Sequence, residues 1–204
     1  MKLYYKPGAC SLASHIVLNE LGADFELEKV DTATKRTESG ADFLEVNPNG
    51  YVPALELKSG DILIEGASIL QYLADQTPSS TLAPANGTLE RARLQQHLNF
   101  VASELHKAFG PFFSGRDLSA EEREVAVANV GKKLSNFENI LSDGRNYLLG
   151  GDFSVADAYL FVVTNWTNFV GIDLGTWPNV QAFLKRAAAR PAVQASLKAE
   201  GLLN

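Results

Sequence analysis

Hydrophobic and polar positions in the first third of the chain alternate between strand-like and helix-like spacing. Lys2–Tyr5 is predicted to be a strand, which ends at a Pro-Gly turn. Between residues 11 and 21 the apolar positions recur at helical spacing, and Gly22 supplies a left-handed stop. Residues 25–30 interleave apolar and charged side chains, as a strand at the margin of a sheet does. This order predicts a βαβ crossover unit.

A short helix and a hairpin are predicted to follow. Residues 31–40 are polar and lead to a helix at 42–46, which an Asn-Pro-Asn-Gly segment must end. Residues 52–57 and Ile62–Ile64 are predicted strands, because their connecting Ser-Gly-Asp turn favours antiparallel pairing. A second amphipathic helix begins after residue 65. The predicted order is therefore βαβ, then α, then ββα.

The pattern changes to helices alone after a segment rich in turn residues. Residues 76–88 include two prolines and a glycine, which is typical of a linker. We predict an α/β domain at 1–78, a linker at 79–87 and an all-helical bundle at 88–204. The first apolar positions of the bundle step by four and three, as the stripe of one long buried helix does; they are Leu94, Leu98, Val101, Leu105, Ala108 and Phe112.

A capping box is predicted at the start of a later helix. The Ser154 hydroxyl would accept from the amide of Asp157, whose carboxylate would return to the serine amide. Such a cap contributes about 1 kcal/mol of helix stability and no chemistry. We therefore interpret the motif as a folding signal.

Composition and charge narrow the classes of function. Apolar residues make up 46% of the 204 residues and charged residues 21%, which is typical of an ordered, water-soluble protein. The net charge is −6 and no basic run occurs, so nucleic acid binding is not expected. The apolar stretch at 158–163 is far shorter than the ~20 residues that span a bilayer, so no membrane crossing is expected. Charged side chains interrupt any N-terminal h-region of ~7 to 15 residues, so a cytoplasmic location is expected.

The single cysteine, Cys10, is a candidate for chemistry. It excludes an internal disulfide and any zinc site built from several thiolates. It follows the Pro-Gly turn and precedes the first helix, where a helix N-terminus can lower a cysteine pKa from ~8.5 to between ~3.5 and ~7.5. The alternative is a small buried hydrophobic residue. The position at a strand-to-helix junction favours the functional interpretation.

Polar side chains on the predicted long helix form a second candidate site. At about 100° per residue, Asn99, Ser103 and His106 share one face nearly opposite the apolar stripe. A solvated face would explain them equally well. An Asn/Ser/His row nevertheless suits a polar ligand, because His106 can donate to or accept from a sulfur or a carboxylate.

Two further segments are weaker candidates for a binding site. Pro53 stands at a first strand position, where it costs no ladder bond, and most bonds before proline are trans. The Glu65-Gly66-Ala67-Ser68 segment starts a helix whose amides can bind a carboxylate. Glu65 is equally well explained as a first-turn residue that compensates the helix dipole.

Taken together, these segments resemble the cytosolic glutathione transferases, and most closely the bacterial beta class. The resemblance covers nearly the whole chain. It implies a thioredoxin-like N-terminal domain that binds glutathione, an all-helical C-terminal domain that shapes the pocket for the second substrate, and a homodimer. Glutathione would be a co-substrate, and no metal is implied. The matching segments are KLYYKPGACSLASH at 2–15, NPNGYVPAL at 47–55, EGASI at 65–69, residues 99–107 and residues 154–161.

The resemblance also implies roles for individual residues. Val52 would pair its backbone with the cysteinyl unit of glutathione, and the bond to Pro53 would be cis. Glu65 and Gly66 would hold the γ-glutamyl end. Cys10 and His106 would be the catalytic residues, and Cys10 would lie beside the glutathione sulfur, with which it could form a mixed disulfide. Residues that would line the site or reach it from the same or the partner subunit are Lys35, Asn99, Ser103, Glu104, His106 and Lys107. Relatives use a tyrosine or serine hydroxyl to activate the thiol, so Tyr5 and Ser11 are candidates, although Ser11 is better explained as a helix cap.

The function implied is conjugation of glutathione to hydrophobic electrophiles, a detoxification reaction. Apolar walls for the electrophile are expected from Phe109, Phe112, Phe113 and Trp166, although aromatic residues at helical spacing more often belong to the core. One alternative is glutathione-dependent thiol-disulfide exchange or dehalogenation through Cys10. Another is a non-catalytic protein that binds apolar ligands.

Overall fold

The computed structural model describes residues 1–77 and 81–203. The chain divides into two compact units. The α/β unit is Met1–Ala83 together with the segment that starts at Ala188, and the helical unit is Pro84–Ala187. Part of the predicted linker at 79–87 lies outside the described residues.

The α/β unit follows the predicted order of elements, which confirms the fold class. Gly22 has a φ of 58° and ends the first helix as expected. The elements are β1 (Lys2–Tyr5), α1 (Ser11–Glu20), β2 (Glu26–Asp31), β3 (Arg36–Thr37), a 3₁₀ turn (Phe43–Glu45), β4 (Ala54–Glu56), β5 (Ile62–Ile64) and α2 (Gly66–Asp75).

The five strands form one mixed sheet in the order β3-β2-β1-β4-β5. The β1 and β2 strands are parallel, as the crossover requires, and the remaining neighbours are antiparallel. The β3 strand was not predicted, because two residues are too short to show a period. Its Thr37 pairs with Val30 of β2, so β2 is the second strand from the edge.

The two faces of the sheet bury different side chains. Leu3 and Leu55 are cross-strand partners, and both are fully buried. Successive strand residues point to opposite faces, so Tyr4 lies on the other side. There it packs with Val30 and Phe43, and the ring centroids of Tyr4 and Phe43 are 5.7 Å apart. The sheet is therefore covered on both faces.

The helical unit contains no strand among its described residues. The capping box predicted at Ser154 and Asp157 is present, and the Ser154 amide donates to Asp157 Oδ2 at 2.9 Å. The elements are α3 (Leu89–Phe100), a π turn (Val101–Leu105), α4 (His106–Ala108), 3₁₀ turns (Gly110–Phe113 and Leu174–Thr176), α5 (Ala120–Leu141), α6 (Val155–Val170) and α7 (Pro178–Ala188).

The prediction of one long regular helix from 94 to 112 is wrong in two respects. A π turn interrupts it at Val101–Leu105, and helical structure continues only to Ala108. Phe112 then lies in a 3₁₀ turn and is half-buried. A π turn has more residues per turn than an α-helix, so positions beyond it leave the face predicted at 100° per residue.

The last helix, α8 (Pro191–Ala199), packs against α1 and belongs to the α/β unit. Its start is fixed by an ion pair in which Arg190 Nε lies 2.6 Å from Glu20 Oε1. The predicted helical domain ran to residue 204 and included this helix. No local pattern in the sequence identifies the element on which a helix packs.

None of the described helices is long and apolar enough to cross a bilayer.

Candidate functional site

Cys10 is the N-cap residue of α1, directly after the turn that follows β1. Its side chain is half-buried, and Sγ lies 3.4 Å from the carbonyl oxygen of Val52. The prediction of Ser11 as the cap is wrong, because Ser11 is the first residue inside the helix. The structure therefore places the sulfur, rather than a hydroxyl, at the end of the helix.

The two candidate hydroxyl groups are both buried. Ser11 Oγ accepts from the Lys6 amide at 3.2 Å and donates to the Lys6 carbonyl at 3.3 Å, so it closes the turn before α1. Tyr5 is 8% exposed, and burial together with the charge of Glu200 raises the pKa of its phenol. Tyr5 is therefore a neutral phenol at physiological pH.

The segment before β4 brings a second group of predicted residues to Cys10. The bond between Val52 and Pro53 is cis, as the resemblance implies. Asn47 Nδ2 donates to the Tyr51 carbonyl at 2.7 Å and fixes the preceding loop. Pro53 is buried beside the start of α2, where its Cγ lies 3.8 Å from the position that a Cβ on Gly66 would take.

Glu65 has a backbone conformation that is rare for its residue type. Its φ is 69° and its ψ is 109°, and it is the N-cap of α2 with an exposed side chain. The alternative of a first-turn helical residue is therefore wrong. A non-glycine residue in such a region costs of order 1–3 kcal/mol and is found most often where binding requires it.

Lys35 also has a positive φ, of 58°. Its Nζ donates to the Gly50 carbonyl at 2.9 Å and lies 5.7 Å from the centre of the Tyr51 ring. Gly50 has a φ of +67°, and a Cβ there would lie 3.1 Å from Lys35 Nζ. The ammonium group is thus held against the loop that leads to Val52.

Glu200 is a further residue of this site, and nothing in the sequence predicted it. Its Oε2 accepts from the Gly8 amide at 2.9 Å, and its Oε1 lies 2.9 Å from Nδ1 of His15. His15 and Glu200 are 1% and 6% exposed. A carboxylate from the end of the chain therefore anchors the loop that leads to Cys10.

His106 lies directly after the π turn, and its amide donates to the Val101 carbonyl. Its Nδ1 lies 2.9 Å from the Tyr159 hydroxyl, and its ring meets Trp166 edge-to-face at 4.8 Å. Burial lowers the pKa of His106 from 6.5 to about 4, and the charge of Lys107 adds to the effect. The ring is therefore neutral near pH 7.

The other polar residues of this segment have different surroundings. Asn99 and Ser103 are exposed, and Ser103 Oγ donates to the Asn99 carbonyl at 2.8 Å. Glu104 forms an ion pair with Lys133, and Lys107 is exposed. His106, by contrast, is half-buried and packs on Tyr159 and Trp166 of α6.

The aromatic residues proposed for the second-substrate pocket divide into two groups. Phe109 and Trp166 are 0% and 5% exposed and belong to the core. Phe113 is 54% exposed, and its ring centroid lies 5.3 Å from that of Trp166. Phe112 is half-buried. The accessible apolar surface of this cluster is therefore provided mainly by Phe113.

Comparison with known proteins identifies the family. The models described as "Glutathione S-transferase, N-terminal domain" and "Glutathione S-transferase, C-terminal domain" match residues 8–76 and 100–191. Glutathione S-transferase GstA of Escherichia coli O157:H7 is 47% identical over 203 residues, which cover 99% of this chain and 100% of GstA. The chain belongs to the glutathione S-transferase family.

Solved structures share the glutathione S-transferase fold over the whole chain. The bacterial beta class enzyme of Sphingomonas chungbukensis is 51% identical with a TM-score of 0.94, and the match covers 100% of both chains. A sphingomonad glutathione S-transferase complexed with glutathione is 52% identical with a TM-score of 0.93, again over 100% of both chains. The resemblance to the beta class is confirmed, and the protein is a glutathione transferase.

Two clusters thus contain the predicted site residues of this glutathione transferase. In the α/β unit, Cys10, Val52, Pro53 and Gly66 lie together. In the helical unit, the predicted residues fall on and around the π turn. Within residues 1–77 and 81–203, no group of three or more His, Cys, Asp and Glu side chains is arranged to hold a metal ion.

Proposed function

We propose that this glutathione transferase binds glutathione on the α/β unit and joins its sulfur to hydrophobic electrophiles. The observation that carries the proposal is the 3.4 Å contact between Cys10 Sγ and the Val52 carbonyl at the N-terminus of α1. A helix N-terminus favours an anion, so a glutathione thiolate beside Cys10 would be stabilised there.

The backbone at Val52 is suited to pairing with an extended peptide. The ladders of β4 with β1 and with β5 both begin at Ala54, so Val52 lies next to the sheet and outside its pairing. The cysteinyl unit of glutathione would add to the backbone here as an extra strand does. Pro53 would support this segment from the core side.

The charged ends of glutathione have candidate partners on both sides of Val52. The exposed Glu65 carboxylate would pair with the γ-glutamyl ammonium group, and the helix N-terminus at Gly66 would receive its carboxylate. Lys35 would provide a cation for the remaining carboxylate. The strained φ of Glu65 supports this assignment, because such strain is retained where it serves binding.

Further contacts to glutathione are proposed for residues on and around the π turn. Asn99, Ser103, Glu104 and Lys107 would reach glutathione from their own or the partner subunit of a homodimer. A sedimentation mass of one chain at micromolar concentration would contradict the dimer. Variants at Asn99, mixed as heterodimers with wild type, would distinguish the two subunit assignments.

The reaction would proceed in two steps. The glutathione thiol would first lose its proton to solvent. The thiolate would then attack the electrophilic carbon, forming a carbon–sulfur bond while the leaving group departs with the electron pair of the broken bond. Binding both substrates at one place would supply proximity, and the lowered thiol pKa would supply the nucleophile. Phe113 would contact the electrophile. We expect the activity to serve detoxification in the cytoplasm.

The test is the initial rate of glutathione conjugation to a chromogenic halo-nitroaromatic. Wild type and Cys10→Ala would be compared over a range of pH, after both are shown to be folded. Turnover by the wild type supports the proposal, and the rate of the variant decides whether Cys10 activates the thiol. Folded wild type that binds apolar ligands tightly but gives no turnover with any electrophile would favour a binding protein instead.

A second candidate function is thiol-disulfide exchange through Cys10, favoured by the half-buried position of its sulfur at a helix N-terminus. The Cys10 thiolate would attack a glutathione mixed disulfide, taking up the glutathionyl group and releasing the other thiol as thiolate. A second glutathione thiolate would then release Cys10 and form oxidised glutathione. If Cys10→Ala loses this reaction but keeps conjugation, the cysteine serves thiol-disulfide exchange rather than conjugation.

A further inference from the structure

A pocket of about 460 Å³ opens on the helical unit between the first half of α3 and the end of α5. Its volume falls in the range of ~300 to 1,000 Å³ that is typical of sites for small molecules. Every lining residue belongs to Pro84–Ala187, and none is proposed to contact glutathione. The polar wall includes Glu90, Arg93 and His97 of α3, together with Asp143 and Arg145, which follow α5. The pocket is therefore a candidate site for a second kind of ligand.

His97 is a buried histidine that lines this pocket. It is 8% exposed, and within residues 1–77 and 81–203 neither nitrogen of its ring makes a hydrogen bond. Leaving a buried polar group without a hydrogen bond costs about 1–3 kcal/mol, so such groups in native proteins nearly always have a partner. Because the ring lines the pocket, its partner has to come from the contents of the pocket.

Arg93 brings a positive charge next to His97. The two residues are four positions apart on α3, so their side chains are neighbours on one face of the helix. Arg93 is exposed, and none of the residues that the structure describes forms an ion pair or a hydrogen bond with its guanidinium group. A guanidinium group and an imidazole N–H are both hydrogen-bond donors. This face of α3 thus presents two adjacent donors to the pocket.

The other charged groups of the pocket are already engaged. Nε of Arg145 lies 2.9 Å from Asp143 Oδ1, and Nη1 donates to the Leu148 carbonyl at 3.0 Å. The hydrogen bonds from this guanidinium group lower the pKa of Asp143 to about 2, so the carboxylate stays charged and paired above that pH. Glu90 lies in the first turn of α3, where its carboxylate balances the positive end of the helix dipole. The charge left for a ligand is therefore that of Arg93.

The ring of His97 is neutral near pH 7. Burial, followed by the charge of Arg145, lowers its pKa below the ordinary value of 6.5. A neutral ring donates one N–H to a ligand. A bound anion would favour the protonated ring, because the negative charge offsets the cost of burying an imidazolium ion. An anion in the pocket should therefore raise the pKa of His97, whereas a cation should lower it further.

We propose that this pocket binds a small organic carboxylate, whose two oxygens accept hydrogen bonds from the Arg93 guanidinium group and the His97 ring. A carboxylate fits this pair of donors because it has two acceptor oxygens and a charge opposite to that of arginine. Ile140 and Leu149 are half-buried and line the same pocket, so they would contact the apolar part of the ligand. Binding involves no covalent step and none of the residues proposed to bind glutathione.

The test follows the histidine ring signals by nitrogen NMR while benzoate is added to the full protein. The chain has three histidines, His15, His97 and His106, and each signal is assigned by its loss in an asparagine variant. His97 is then known by elimination even if its own variant does not fold. We expect a saturable shift of the His97 signal and a higher His97 pKa in saturating benzoate. No saturable shift of His97, or an equal shift with benzylamine, which has the same ring and a positive charge, would overturn the proposal.

Arg93→Gln removes the positive charge from an exposed position, so the variant should fold. We expect it to weaken benzoate binding by about tenfold, measured on the His97 signal. The matched control is Lys132→Gln, at an exposed position of α5 that does not line the pocket. It removes the same charge and should leave the affinity within about twofold. Unchanged affinity in Arg93→Gln, or an equal loss in both variants, would overturn the proposal. No measurement here depends on conjugation, so failure of the proposed function would leave this result unaffected.

Discussion

Glu200 Oε1 lies 2.9 Å from Nδ1 of His15, although 185 positions separate the two residues in the chain. The other oxygen of the same carboxylate accepts from the Gly8 amide at 2.9 Å. Both groups belong to the segment that surrounds Cys10. The end of the chain therefore fixes the loop that places the sulfur at the N-terminus of α1.

Glu200→Ala should destabilise the protein by about 3 kcal/mol, because the Gly8 amide and the buried His15 ring both lose their hydrogen bond to this carboxylate. Urea unfolding measures the change. Glu124→Ala, at an exposed position of α5, is the matched control and should change stability by less than about 0.5 kcal/mol. If Glu200→Ala also changes the free energy of unfolding by less than about 0.5 kcal/mol, the contacts of Glu200 with Gly8 and His15 contribute nothing to stability.

Asp157 should make stability depend on pH. The carboxylate is fully buried and accepts from Ser154 and the Leu148 amide, and burial raises its pKa from 3.8 to about 6. The native state therefore binds more protons than the unfolded state between these values. The corresponding stability is fully present below pH 3.8 and is lost as pH rises through about 6.

The comparison of wild type with Asp157→Asn isolates this contribution. Relative to the variant, the wild type should lose about 3 kcal/mol of unfolding free energy as pH rises through this interval. Unfolding by urea at several pH values supplies the data. If the difference between the two proteins is constant with pH, the Asp157 carboxyl has an ordinary pKa.

His106 should titrate far below the usual range for histidine. Its pKa is lowered from 6.5 to about 4 by burial and by Lys107, so the protein gains stability from it above pH 6.5 and loses that stability as pH falls towards 4. The ring proton shifts of His106 in NMR should therefore have their midpoint near pH 4. A midpoint near 6.5 would mean that the ring is solvated rather than packed on Trp166.

Gly131→Ala should destabilise the helical unit. A Cβ at this position would lie 2.9 Å from Cζ2 and 3.0 Å from Cη2 of Trp177, whose indole donates to Ser135 Oγ at 3.0 Å. We expect a loss of about 1–3 kcal/mol, because the ring must move away from its hydrogen bond. Gly151→Ala is the control, since nothing lies within 4 Å of its Cβ position. Equal melting temperatures for the two variants would show that Trp177 moves at no cost.

The elements with a clear period were predicted from the sequence. The β1 strand, α1 and the hairpin of β4 and β5 match their hydrophobic spacing and turn residues. The β3 strand was missed because two residues show no period. The position of α8 on α1 was missed because it depends on tertiary contacts such as that between Arg190 and Glu20.

The candidate site was predictable where a motif is local. Cys10 and the segment from Val52 to Pro53 could be found in this way, and they lie together. The π turn has no sequence signature, so the direction of His106 could not be obtained from a regular helix. Tyr159 had one usable signal: a tyrosine inside an apolar helical run needs a buried partner for its hydroxyl. Glu200 had none.

The activity that we propose for this protein is the joining of glutathione to an electrophile. The most direct test incubates wild type with glutathione and a halo-nitroaromatic, then identifies the products by mass spectrometry and measures released halide. We expect the aryl glutathione thioether and one halide for each conjugate, formed faster than without enzyme. Oxidised glutathione with a reduced arene, or a rate equal to that without enzyme, would contradict it.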